Sequence, residues 1–198
     1  MSDRSDPDAA LMLRVQRGDR DAFTELVIKY QQPIYGFVLR TVRDETEAED
    51  LTQTTFVQVW KSARRYQVKA RFSTWLYTIA RNLCLNEIRR RSRHGAESLE
   101  GSQTDDQRAV QFEDRSAPQP GGEVLQGELE EKLAAALGDL PEHQRTAIVL
   151  CQQEELSYEE IAAVLGCSLS ATKSLIFRGR ETLKARLKAY LKTGEWNP

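Results

Sequence analysis

Residues 157–187 read SYEEIAAVLGCSLSATKSLIFRGRETLKARL, and this stretch decides the fold. Ser157 and Glu160 have the Ser-x-x-Glu spacing of a capping box, in which each side chain satisfies a backbone N–H at the start of a helix. Ile161, Ala162 and Leu165 follow as an apolar face, and Gly166 stands where a left-handed residue ends a helix. Ser168 or Ser170 can cap a longer basic helix that reaches about Leu191. A short capped helix, a tight glycine turn and a basic second helix make a helix-turn-helix. Ile161, Ala162 and Leu165 are expected to pack against Ile176 and Leu183, with the small Ala162 and Ala163 permitting close approach. Ser170, Lys173, Ser174, Phe177 and Arg178 then lie on the outer, N-terminal side of the second helix, where base edges in a major groove are met. Lys184, Arg186 and Lys188 lie further along and suit phosphates. A plain basic amphipathic hairpin is the competing reading of the same pattern.

Upstream of this unit, Leu140-Pro141 restarts a helix, since proline is tolerated where the first turn has no use for its N–H. Before it, 124–138 carries Leu129, Leu133 and Leu137 on one face. The preceding 95–123 is rich in Gly, Ser, Gln, Asp and Pro, and its seven acids against two arginines give −5. That composition predicts a flexible acidic linker, and a tether with no other role accounts for it equally.

The N-terminal half is also helical in period. Phe23, Leu26, Val27 and Tyr30 share one face, and Pro33 marks a kink or the first turn of the next helix, with Ile34, Phe37 and Val38. Asp44 and Glu47 have capping-box spacing ahead of a helix through Leu51, Phe56, Val59 and Trp60. A fourth helix spans about Ser73 to Arg93, with Trp75, Leu76, Ile79, Leu83 and Ile88 as its apolar side. Its sequence from Arg71, RFSTWLYTIARNLCLNEIRRRSR, interleaves aromatics with a basic end, a combination that stacks on unpaired bases and tracks phosphates. Trp75 and Tyr77 as core residues, with Arg89–Arg93 a solvated helix end, explain it as well. Likewise Asp50, Gln53 and Phe56 make a polar and aromatic strip that suits a partner helix, or an ordinary amphipathic face.

The 198 residues have a net charge of −2, which hides two basic patches. Residues 61–93 hold ten Lys or Arg against Glu87, and 168–192 hold seven against Glu181. Hydrophobic residues make up 40% and charged residues 29%, the balance of a soluble globular chain. No apolar run approaches the ~20 residues of a membrane span, and the polar start MSDRSDPDAA does not resemble a signal peptide, so a cytoplasmic protein without membrane insertion is expected. Cys84, Cys151 and Cys167 read as reduced, mostly buried residues, and with only His94 and His143 available no metal or other cofactor is expected. No phosphate-binding loop, dinucleotide fingerprint or nucleophile–base arrangement is present, which argues against an enzyme. A stand-alone helix-turn-helix regulator would leave the strip at 49–60 and the aromatic-basic segment unused.

Three stretches, in order and spacing, resemble the extracytoplasmic-function class of bacterial sigma factors over roughly Asp19 to Leu191, apart from the linker. They are Glu49-Asp50-Leu51 with Gln53 and Phe56; Phe72-Ser73-Thr74-Trp75-Leu76 with Ala80, Asn82 and Asn86; and Ser157 through Arg180. The resemblance implies an all-α chain of two small helical domains joined by a flexible acidic linker, the second ending in a helix-turn-helix. It divides the chain into a flexible N-terminus (1–18), a domain for polymerase docking and −10 recognition (19–94), a linker (95–123), a −35-reading domain (124–192) and a tail (193–198). Asp50, Gln53 and Phe56 would bind core RNA polymerase. Trp75, Tyr77, Arg81, Asn82 and Asn86, with Arg89 and Arg90, would capture single-stranded promoter DNA at the −10 element. Ser170, Lys173, Ser174, Phe177 and Arg178 would read duplex DNA at the −35 element, and an anti-sigma protein is a further implied partner. Leu175 departs from the family pattern, which has arginine after the serine, and its side chain has no hydrogen-bond donor.

Overall fold

The structure, a computed structural model, describes residues 6–98, 123–153 and 156–193, and all regular structure among them is helical, as expected. The linker residues 99–122 and the tail from 194, including Trp196, lie outside the described residues. In chain order the elements are α1 (Pro7–Gln16), α2 (Arg20–Val42), α3 (Glu45–Ser62) with a 3-10 turn at Ala63–Arg65, α4 (Phe72–Ser98), α5 (Glu123–Gly138), α6 (Glu142–Cys151), α7 (Tyr158–Leu165) and α8 (Leu169–Thr193). Residues 95–98, expected in the linker, extend α4.

The first correction concerns residues 7–16. They were expected to belong to a flexible N-terminus, but they form α1, with Ala9, Met12 and Val15 buried. Asp6 caps this helix and Pro7 occupies its first turn, where a missing N–H costs nothing. Asp8 is buried but fully served: Tyr30 Oη and Lys29 Nζ each donate to its Oδ2 at 2.6 Å. Asp6 also bridges helices, accepting the Asp8 N–H through Oδ1 (3.1 Å) and the Phe72 N–H through Oδ2 (2.7 Å). One carboxylate thus serves the first turns of both α1 and α4. Asp6→Ala is expected to cost about 1–2 kcal/mol of unfolding free energy in urea titration, the upper part of the range for a lost cap. A cost below about 0.3 kcal/mol would show that the α4 end does not depend on it.

Helix α2 runs unbroken through Pro33. Pro33 and Lys29, whose carbonyl loses its partner, both lie on the exposed face, so the lost bond faces solvent and not the core. Asp44 caps α3 by accepting the Glu47 N–H at 2.9 Å. The expected box is only half formed, because the Glu47 carboxylate turns instead to Arg90 on α4.

In the second half Ser157 and Glu160 complete their capping box, and Gly166 ends α7 at φ 68°. Ser168, not Ser170, caps α8, its Oγ accepting the Ala171 N–H at 3.2 Å. Thr172, Ile176, Gly179 and Leu183 form the buried face of α8. Ala162 is buried as expected, whereas Ala163 is exposed and takes no part in the helix contact. The close approach is instead at Gly179, where a Cβ would fall 2.8 Å from Ile148 of α6. Leu175 is half-buried and packs against the core, which gives an apolar side chain a use at that position.

The two helical regions also pack on each other, α2 against α6 and α4 against α7, and a single apolar cluster runs through both. Polar contacts close the seam. Arg145 of α6 donates to the Thr41 carbonyl at the end of α2 (3.1 Å), although burial and the nearby Arg43 pull its pKa below the ordinary guanidinium value. Tyr77 Oη donates to Gln153 Oε1 at 2.8 Å, and the Glu160 carboxylate lies 3.6 Å from Arg71 Nε. The Arg43 guanidinium lies against Gly138, where a Cβ would oblige that side chain to swing aside.

Candidate nucleic-acid interface

Helix α8 presents the clearest surface. Packing of Thr172, Ile176, Gly179 and Leu183 onto α6 and α7 fixes its rotation, and the opposite face carries Ser170, Lys173, Ser174, Phe177 and Arg178. All five are exposed and, with Leu169, line one shallow groove of about 800 Å³. Phe177 is 67% exposed, a large apolar ring left uncovered by the described residues. Two cations, two hydroxyls and one ring on the first turns of a helix match what duplex base edges and thymine methyls offer. Arg186, further along, is paired with Asp139 on the turn after α5, so it is less free for phosphate than its charge suggests.

On α4 the structure sorts the aromatic-basic segment into two faces. The aromatics turn inward. Tyr77 is 2% exposed, stacked edge-on against Phe37 at 5.4 Å and sealed beneath Gln153, so it cannot stack on a base in this arrangement. Trp75 is half-buried, 4.9 Å from Tyr66 and 5.9 Å from Phe72. Asn82, Asn86 and Arg89 point outward, while Arg81 is half-buried with an Nε that meets no acceptor among the described residues. Arg90 is half-exposed but engaged, its Nε and Nη2 donating to the Glu87 carboxylate at 2.8 Å. Of the expected strand-capturing set, the asparagines and Arg89 are therefore displayed, Tyr77 is withdrawn, and Arg90 is occupied. Cys84 lies beneath this face, its thiol pushed up to about 12 by burial and so inert.

On α3 Asp50 and Gln53 are exposed as expected, but Phe56 is 8% exposed and belongs to the core. The outward position is the next one. Val57 is 47% and Trp60 40% exposed, with the Trp60 ring 5.0 Å from Phe23. Asp50, Gln53, Val57 and Trp60 recur at three- and four-residue steps, so they form one continuous strip. The spacing from Gln53 fits Phe56 as well as Val57, so the sequence offered the position without deciding it. Among the described residues no group of His, Cys, Asp and Glu could hold a metal ion, and no single helix is long and apolar enough to cross a membrane.

A family model for Sigma-70 region 2 matches residues 26–94, and one for Sigma-70, region 4, matches residues 130–183. The RNA polymerase sigma-H factor of Pseudomonas aeruginosa is 36% identical over 194 residues, covering 93% of this chain and 96% of the relative. The ECF RNA polymerase sigma-E factor of Haemophilus influenzae is 33% identical, covering 91% and 95%. Among solved structures, the sigma factor RpoE of Bartonella quintana, crystallised with the anti-sigma factor NepR, superposes with a TM-score of 0.69 at 25% identity, covering 84% of this chain and 96% of that one. The residues of the α3 and α4 surfaces fall inside the region 2 match, and those of the α8 surface inside the region 4 match.

Proposed function

The chain belongs to the extracytoplasmic-function family of RNA polymerase sigma factors, and from that membership we propose a division of labour among its three exposed surfaces. As a family member it serves promoter-specific transcription initiation with RNA polymerase. The α3 strip of Asp50, Gln53 and Val57 docks on the core enzyme. Asn82, Asn86 and Arg89 of α4 hold the melted −10 strand. Ser170, Lys173, Ser174, Phe177 and Arg178 read the −35 duplex. The observation that carries this reading is the convergence of those last five side chains on one exposed groove at the start of α8. An anti-sigma protein is a further partner on this reading, supported by the likeness to a sigma factor solved with one.

The test is association of the purified chain with core RNA polymerase, followed by transcription from a library of promoter fragments. Stable association and initiation at a defined set of sequences are expected. Tight duplex binding by the chain alone, with no association to core, would make it a stand-alone regulator. Arg178→Ala is expected to weaken holoenzyme binding about 10- to 100-fold, the range of one base contact, and mainly at one −35 position. Competition binding across single-base variants checks this, and equal loss on every sequence would reassign Arg178 to the phosphate backbone.

A further inference from the structure

Two of the arginines that make 61–93 so basic are not free charges. Glu87 on α4 is only 8% exposed, and its carboxylate accepts three hydrogen bonds at 2.8 Å: two from the Nε and Nη2 of Arg90 and one from the Nε of Arg91. Both guanidinium groups then reach across to the first turn of α3. Arg90 Nη2 lies 3.2 Å from Glu47 Oε1, and Arg91 Nη2 lies 3.7 Å from Glu47 and 3.5 Å from Asp44. Asp44 is at the same time the cap of α3.

The cluster therefore holds two cations against three carboxylates, so it presents no net positive field to a phosphate. Its members come from the start of α3 and the outer half of α4. These are the helix with the docking strip and the helix with Asn82, Asn86 and Arg89. The planar forks of Arg90 and Arg91 make the join directional, which a lysine could not reproduce.

We propose that Glu87 is a positioning residue for strand capture: through Arg90 and Arg91 it clamps the reading face of α4 to the docking helix α3, and Arg90 acts within that clamp and not as a nucleic-acid contact. The inference rests on the function proposed above. Docking fixes α3 on the polymerase, and the clamp transmits that position to the asparagines one and two turns away. The depressed pKa of Glu87, caused first by the Arg90 hydrogen bond, keeps the hub ionised at neutral pH. Arg90 keeps a 53% exposed side chain, so one edge of it is reachable, and salt dependence decides between the two roles.

The experiment uses holoenzyme assembled from core polymerase and the full chain, with a single-stranded −10 oligonucleotide as probe. Glu87→Gln keeps the shape and removes the charge. It is expected to leave core affinity within about twofold and weaken oligonucleotide capture about 10- to 100-fold, as small misplacements of reacting groups do. Arg90→Gln should behave alike, and the double variant should be no worse than either alone, because both changes break one unit. Neither should alter the slope of affinity against salt, whereas Arg89→Gln should reduce it by about 0.7, one phosphate contact on a single strand. Capture by Glu87→Gln at the level of the unchanged protein would overturn the proposal. So would a slope change of that size in Arg90→Gln, or additive losses in the double variant. Should Glu87→Gln not fold, Arg90→Gln carries the test alone, since it leaves the Glu87–Arg91 pair in place. Failure of the unchanged chain to bind core would instead refute the functional reading, so the two failures are distinguishable.

Discussion

Val57→Asp is expected to lower affinity for core RNA polymerase about 30- to 1000-fold, a loss of about 2–4 kcal/mol. Val57 is half-exposed in the middle of the α3 strip, between Gln53 and Trp60, so a docked partner must cover it. A carboxylate there would be desolvated without a partner, and it would stand two turns along the same strip from the existing negative charge of Asp50 and its neighbour Glu49. Asp50→Ala, which only truncates a polar contact, should cost about 1 kcal/mol or less than a hot spot does. Because Val57 packs little within the chain, the variant's unfolding midpoint should move by less than a degree or two. Fluorescence titration of core enzyme together with a melting curve checks both parts. Unchanged affinity would remove α3 as the docking element, and a collapsed melting curve would mean that Val57 is structural after all.

Phe72→Ala is expected to destabilise the chain by about 3–5 kcal/mol, a large share of a typical domain's stability. Phe72 is fully buried and opens α4 with its ring 5.5 Å from Tyr30, 5.9 Å from Trp75 and 6.4 Å from Tyr66. Alanine would leave a cavity among three rings that cannot collapse without breaking the contacts between α1, α2 and α4. It would also remove aromatic pairing worth about 0.5–1.5 kcal/mol each beyond area alone. Phe72→Leu, which keeps most of the volume, should cost about 1–2 kcal/mol. Chemical denaturation at fixed pH gives both numbers. A cost for alanine below about 1 kcal/mol would show that the aromatic cluster relaxes freely, against the packing described here. Since the Phe72 N–H is held by Asp6, the alanine variant should also be less sensitive to Asp6→Ala than the unchanged chain, a coupling a double-mutant cycle measures.

Local architecture is legible in the residues themselves. The capping box at Ser157 and Glu160 and the left-handed Gly166 depend on residues within a turn of one another, so spacing alone reveals them, while it narrows the cap of α8 only to Ser168 or Ser170. The outward face of α8 follows from the same 3.6-residue period, because Ile176 and Leu183, two turns apart, mark its inner side. Contacts between residues far apart in the chain are settled by how the helices pack. Helix α1 is short, and its buried Asp8 is acceptable only because Tyr30 and Lys29 arrive from α2. Phe56 and Val57 are both apolar, and which one faces the core depends on how α3 lies against α2 and α4. Helix α4 is packed on more than one side, so Tyr77 is claimed by Phe37 and Gln153 while Asn82 stays outside. Arg90 is engaged first by Glu87, three residues earlier on the same helix face, a pairing local spacing allows, whereas Glu47, 43 positions earlier, joins it only in the folded chain. Periodicity and capping are properties of neighbours, whereas burial and charge pairing belong to the assembled helices, and the division between the two runs through this protein at that boundary.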